Sequence, residues 1–129
     1  MSATQLHAVF PPDSRRPAGH YAPAIVHAGL VYISGQLPID PITGAHCTGS
    51  IEEQTDQVLR NLDRILLAAG SSRDRVLQTT VYTSNVELWS QINAVYAQYF
   101  GDHRPARAVV PTPPLHYGFL IEIAAIAAQ

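Results

Sequence analysis

At 129 residues, with a formal net charge of −2 and 47% hydrophobic residues, the chain has room for one domain with its own apolar core and none for a second. This composition excludes a disordered chain, and without a strong positive charge nucleic acid is a poor partner. All eight basic residues are arginines, so no lysine can form a Schiff base, and the lone Cys47 rules out an intrachain disulfide or a paired-cysteine motif.

The first 18 residues, with Pro11, Pro12, Arg15, Arg16 and Pro17, read as a partly irregular arm holding one short strand at 6–10. Residues 24–27 and 30–34 are β-prone runs about Ala28-Gly29 and predict a hairpin, followed by a loop over 36–49. Ser50 and Glu53 have capping-box spacing, in which serine and glutamate each satisfy an end-group amide of a starting helix. Ile51, Thr55, Val58, Leu62, Ile65, Leu66 and Ala69 then recur at steps of three and four up to Gly70, predicting about five helical turns. The β-branched run 76–83 predicts a strand. Ser84 and Glu87 repeat the capping spacing, and Leu88, Ile92, Val95, Tyr96, Tyr99 and Phe100 form the stripe of a second helix that stops at Gly101. Residues 107–110 and 119–127 predict two strands joined by the proline-rich loop 111–118.

After the arm the order is β-β-α-β-α-β-β, a single α+β domain over 1–129 with one mixed sheet and two helices that can both lie on one face. The last strand is apolar on both parities, Phe119, Ile121 and Ile123 on one and Leu120, Ala124 and Ile126 on the other. Two helices cannot cover both faces, so a homo-oligomer is expected, closed by cyclic symmetry. No stretch approaches the ~18 apolar residues of a membrane span, and the N-terminus lacks an export pattern. A reduced, cytoplasmic setting without a membrane partner is expected.

Glu122 is the only charged residue in that last apolar run, and a carboxylate there needs a partner or a purpose. It either satisfies an arginine across a subunit boundary or does chemistry. Arg107 begins a β-prone run where packing does not call for it, and its planar fork suits a carboxylate ligand, although a surface arginine would look the same. No HExxH or similar spacing is present, so no metal is expected.

Several segments in order resemble one family: Tyr32-Ile33-Ser34-Gly35-Gln36-Leu37-Pro38, Gln54-Thr55-Asp56-Gln57-Val58-Leu59-Arg60-Asn61-Leu62, Ala68-Ala69-Gly70, Thr80-Val81-Tyr82, Asn93-Ala94-Val95-Tyr96, Tyr99-Phe100, Pro105-Ala106-Arg107 and Ile121-Glu122-Ile123. Together they resemble the Rid (reactive intermediate deaminase, also called YjgF) family from about residue 19 to 127, and Glu122 follows Arg107 at the family's spacing. The resemblance implies a chorismate-mutase-like fold, a homotrimer with clefts between subunits, and cofactor-free hydrolysis of enamines and imines such as 2-aminoacrylate to a 2-oxo acid and ammonia. It implies that Arg107 holds the substrate carboxylate and Glu122 positions or activates water. Tyr21 would pack on the ligand from the adjacent subunit, and Ser34 and Gly35 would contact it.

The match departs from the family at several places. His20, Ala22 and Pro23 flank Tyr21, and Val109 stands where the family often has cysteine. The loop that ends Leu115-His116-Tyr117-Gly118 follows Pro111-Thr112-Pro113-Pro114. Val109, His116 and Tyr117 are therefore candidate substrate contacts. The altered loop leaves open a pathway-specific relative acting on a larger unstable imine in catabolism or natural-product biosynthesis. A non-catalytic trimer that binds a small carboxylate metabolite is the reading from another class, and ribonuclease activity, a label of some relatives, is disfavoured by the charge.

Overall fold

The computed structural model describes residues 5–129, so the first four residues of the expected arm lie outside the described residues. Two consecutive positive φ values, 52° at Ala28 and 77° at Gly29, turn strand β2 (Ala24–His27) into β3 (Leu30–Gln36). Such a pair matches the twist of the flanking strands, and His27 pairs with Leu30 as a two-residue turn requires. Upstream, the arm contributes β1 (His7–Val9), shorter than the expected strand, which pairs with β2.

The remaining elements are α1 (Ile51–Ala68), β4 (Val76–Thr83), α2 (Trp89–Phe100), β5 (Ala106–Pro111) and β6 (Ile121–Ala128). The six strands form one sheet in the order β1-β2-β3-β6-β4-β5. Only β4 and β5 run parallel, and a parallel pair needs a crossover, which α2 supplies. The architecture is the expected α+β arrangement of one mixed sheet and two helices. No helix is long and apolar enough to cross a membrane.

Alternation along β6 decides where the core lies. Ile121, Ile123, Ala125 and Ala127 are buried, with Val81 and Thr79 of β4 and Val31 and Ile33 of β3 on the same face. Onto this face α1 lays Val58, Leu62, Ile65 and Leu66, and α2 lays Ile92, Tyr96 and Phe100. The other face carries Tyr32, Ala124 and Ile126, and among the described residues no element covers it. Tyr32 is 43% exposed there.

Three polar side chains of α1 are buried, and each is bonded. Thr55 donates to the Ile51 carbonyl, Gln54 donates to the Gly49 carbonyl and accepts from the Leu120 amide, and Asn61 donates to the Leu37 and Ile39 carbonyls. The Gln54 and Asn61 bonds fasten the loop after β3 and the segment before β6 to the helix. Between the helices, the Tyr99 hydroxyl donates to Asp63 Oδ1 at 2.8 Å and Arg73 stacks on the Tyr99 ring.

Local capping differs from expectation at two points. The Ser50 hydroxyl accepts from the Glu53 amide at 3.2 Å, but the Glu53 carboxylate takes the serine hydroxyl rather than the Ser50 amide, so one arm of the box is unmade. The second start is capped by Asn85, not Ser84. The Asn85 side chain accepts from the Glu87 amide and opens the single turn Val86–Leu88 ahead of α2. The shorter Asn85 loop closes on the second residue after it, a geometry that asparagine favours.

Ser50→Ala removes the side-chain cap of α1 and is expected to cost about 1 kcal/mol in denaturant unfolding at fixed protein concentration. Burial first, then the bond to Asp63 and its charge, pushes the Tyr99 phenol well above its ordinary value of 10.0. The unfolded chain ionises this phenol near that value while the folded chain resists, so the contribution is whole below it and is lost as pH rises further. Unfolding midpoints should therefore fall between about pH 9 and about pH 11, and fall less in Tyr99→Phe.

Candidate functional site

Strand alternation separates the two residues that the sequence pairs by spacing. In the parallel register Arg107 lies beside Thr79 and Val109 beside Val81, both buried on the helix-covered face. Glu122 lies beside Tyr82, on the open face with Ala124 and Ile126. Within one chain, Arg107 and Glu122 thus project from opposite faces of the sheet.

Arg107 extends from the edge strand toward α2. Its Nη1 donates to Asn93 Oδ1 at 3.0 Å, and its guanidinium carbon lies 4.7 Å from the Tyr96 ring centroid and 5.9 Å from that of Trp89. Trp89, Asn93 and Tyr96 stand at i, i+4 and i+7 on α2, one helical face turned to the guanidinium. Periodicity alone could have assigned Asn93 to this stripe, and sequence reasoning missed it. The Tyr96 hydroxyl meets Thr79 Oγ1 at 2.7 Å. Burial raises the Tyr96 phenol above its ordinary value, while the Thr79 bond and the Arg107 charge pull it back. A cavity of about 450 Å³ opens beside Arg107, walled by Asn93, Tyr96, His103 and Arg104. Val109 packs against the core beneath and does not line it.

Glu122 belongs to a second cluster built around a break in β3. Ile33 pairs with Ala125 and Gln36 with Ile123, so three steps on β3 face two on β6 and the extra residue makes a bulge at Ser34 and Gly35. A Cβ on Gly35 would fall on Glu122 Oε2 and come within 3.0 Å of its Cδ. A methyl here would make the Glu122 carboxylate swing aside. The Ser34 hydroxyl donates to the Ala22 carbonyl at 2.7 Å and the Ser34 amide to the Pro23 carbonyl at 3.0 Å. These two bonds hold the segment carrying Tyr21 against the bulge. The Tyr21 ring is 52% exposed.

Tyr21 and Gly35 also line a cavity of about 360 Å³ that continues under the arm and the loop after β3, where Tyr117 and His46 join its wall. Tyr117 adopts φ 58° in the turn His116–Gly118, and its ring lies 4.8 Å from that of His46. His116 is exposed and stands beside Tyr117, with ring centroids 5.9 Å apart. Neither His20 nor His116 hydrogen-bonds to Glu122 among the described residues. Ser34, Gly35 and Glu122 thus meet at the bulge, and Tyr21, Gly35 and Tyr117 line the cavity beside it, while Arg107 and Val109 lie on the helix-covered face of the sheet. His46 is a cavity residue that sequence reasoning set aside as an ordinary loop histidine.

Gly35→Ala is expected to destabilise the fold by about 0.5–1.5 kcal/mol, since the added methyl makes the Glu122 carboxylate leave its rotamer. Glu122→Ala in the same chain should recover part of that loss. A double-mutant cycle that gives simple additivity would contradict the close approach.

The family model described as Endoribonuclease L-PSP matches residues 13–129. A RutC family protein of Pyrococcus horikoshii is 44% identical, over 92% of this chain and 94% of its own. The human 2-iminobutanoate/2-iminopropanoate deaminase is 38% identical over 86% of this chain and 81% of its own. Among solved structures, a protein of the conserved Rid family from Yersinia pestis superposes with a TM-score of 0.92 at 39% identity, covering 97% of this chain and all of that one. TdcF of E. coli, solved with bound serine, superposes with a TM-score of 0.89 at 28% identity, covering 95% of this chain and 98% of that one. With its fold, its bulge beside Glu122 and these relatives in agreement, the chain belongs to the Rid (YjgF) family.

Proposed function

We propose that the protein hydrolyses reactive 2-enamino and 2-imino acids, of which 2-aminoacrylate is the simplest, to 2-oxo acids and ammonia. The observation that carries this reading is the way Arg107 is held. Its guanidinium is fixed by an amide oxygen and two aromatic rings and not by a carboxylate, which leaves its fork free for the carboxylate of a small substrate. The deaminase name of the human relative and the serine bound to TdcF, itself an α-amino carboxylate, support the same ligand class.

Because Arg107 and Glu122 leave opposite faces of one sheet, the complete site requires two chains. In a homotrimer the exposed face carrying Glu122, Ala124 and Ile126 is covered by a neighbour, and the edge strand β5 of that neighbour delivers Arg107 to the bulge. Tyr21, Ser34 and Gly35 then come from the Glu122 subunit, so Tyr21 faces the ligand from across the interface relative to Arg107.

The chemistry asks little of such a site. Protonation of 2-aminoacrylate at its methylene carbon gives the 2-imino acid, whose C2 is already electrophilic. Arg107 anchors the carboxylate, and Glu122 accepts a proton from water as the oxygen adds to C2. The resulting carbinolamine receives that proton on nitrogen, and as the C2–N bond breaks and ammonia leaves, the hydroxyl proton passes to Glu122 and the carbonyl of the 2-oxo acid forms. Orientation of the two reactants lowers the entropic part of the barrier, and the carboxylate base contributes a further ~10²–10⁴-fold. No cofactor enters any step.

The lactococcal relative named as regulator AldR, 40% identical over 115 residues, favours a second reading, a metabolite-binding protein without turnover. An assay coupled to a lyase that releases 2-aminoacrylate separates the two. The expected outcome is faster release of ammonia and 2-oxo acid, abolished by Arg107→Ala and slowed ~10²–10⁴-fold by Glu122→Gln. Sedimentation at micromolar concentration should give the mass of three chains. Ligand binding without acceleration would favour the regulator reading.

A further inference from the structure

The cavity that begins at Tyr21 and Gly35 is larger than a three-carbon imine needs, and its far end has a definite chemical character. It is roofed by the arm and the loop after β3, which are tied together and to α1. The Arg15 amide donates to the Pro41 carbonyl and its Nη1 to the Thr43 carbonyl at 2.7 Å. Arg64 of α1 donates through Nη2 to the Pro12 carbonyl and to the Ser14 hydroxyl, both at 3.0 Å. The roof is therefore set by hydrogen bonds between segments far apart in sequence, and the space of about 360 Å³ beneath it stays unfilled.

Three guanidinium groups, Arg15, Arg16 and Arg64, line this space, against one carboxylate, Asp40. Asp40 is already engaged, because its Oδ1 accepts from the Ile42 and Thr43 amides. Arg64 Nε is buried and has no hydrogen-bond partner among the described residues. A buried donor left unmade is costly, and a charged one more so. The wall thus holds an excess of two positive charges and an unused donor. His46 and Tyr117 supply a flat aromatic side near the mouth.

We infer that this cavity is a distal subsite for an anionic side chain, so that the protein prefers 2-imino acids carrying a second acidic group over neutral ones. This rests on the deaminase reading, which places the reacting carbon beside Glu122 and Gly35 and leaves the substituent at C2 to run under the roof. An apolar tail would fit the volume but would leave the excess positive charge and the orphan Nε unanswered. A carboxylate answers both.

Stable 2-oxo acids, the products of the proposed reaction, test this by isothermal titration. The probes are 2-oxobutyrate, 2-oxohexanoate, and 2-oxoadipate, which keeps the six-carbon length but ends in a carboxylate. The expected result is that 2-oxoadipate binds at least about tenfold more tightly than 2-oxohexanoate. Arg64→Gln should bring that ratio toward one, and Arg15→Gln provides a second variant should the first loosen the arm. Equal affinity for the two six-carbon acids, or a ratio that survives both substitutions, overturns the subsite while leaving the deaminase reading intact. If none of the three acids binds and no imine is hydrolysed, the deaminase reading falls and the subsite with it.

Discussion

The pleat of β6 is the constraint on which the rest of the molecule depends. As the strand between β3 and β4, it must bury one parity of side chains, and Ile121, Ile123, Ala125 and Ala127 fill the space under the helices. The other parity is then committed to the opposite face, and Glu122 goes with it. Against that placement lie the bulge in β3 and the glycine at its centre, with the carboxylate close over it. The same pleat, transmitted through β4 to β5, sends Arg107 to the helix side. In the proposed reading one chain therefore carries two halves of a site. The apolar residues between them on the open face are what a second copy would cover, so the oligomeric and catalytic readings stand on one structural fact.

A second layer of organisation comes from α1. Its apolar stripe closes the core, but Gln54 and Asn61, buried on the same helix, serve the loops. Asn61 holds the carbonyls of Leu37 and Ile39, and Gln54 spans from Gly49 to the Leu120 amide. Buried backbone groups in those loops would otherwise lack partners. These bonds place the chain after β3 and the chain before β6 relative to the same rigid helix. The bulge, the Tyr117 turn and the roof of the cavity are consequently positioned by the core itself, a firmer support than loop-to-loop contact alone.

The regular elements were legible because their signals are local. The stripe from Ile51 to Ala69, the β-branched run at 76–83 and the Ala28-Gly29 turn each announce their element within a few residues. The Ser84 start misled because Asn85 beside it also caps, and the choice between them depends on backbone geometry that spacing does not encode. The separation of Arg107 from Glu122 was hidden for a different reason. Which face each occupies depends on the register of β5 on β4 and of β4 on β6, including the slip at Leu77 between Val76 and Gln78. Spacing along the chain holds no record of that register. The cavity was invisible for the same cause at longer range, since Arg64 meets the arm across about fifty positions of sequence.

The manner in which the two charges are held bears on how the proposed site would take its substrate. Arg107 rests on neutral partners, and among the described residues neither it nor Glu122 forms an ion pair. An arginine already bound to an acid would have to break that bond before taking a substrate carboxylate, and the affinity gained would be largely cancelled. Amide and aromatic contacts orient the fork at little cost and leave its charge unneutralised. Glu122, set against a backbone bulge rather than a basic side chain, likewise keeps its acceptor capacity for water. Orientation without neutralisation is the common feature of both halves, and it is what a cleft between subunits needs if the ligand itself is to bridge them.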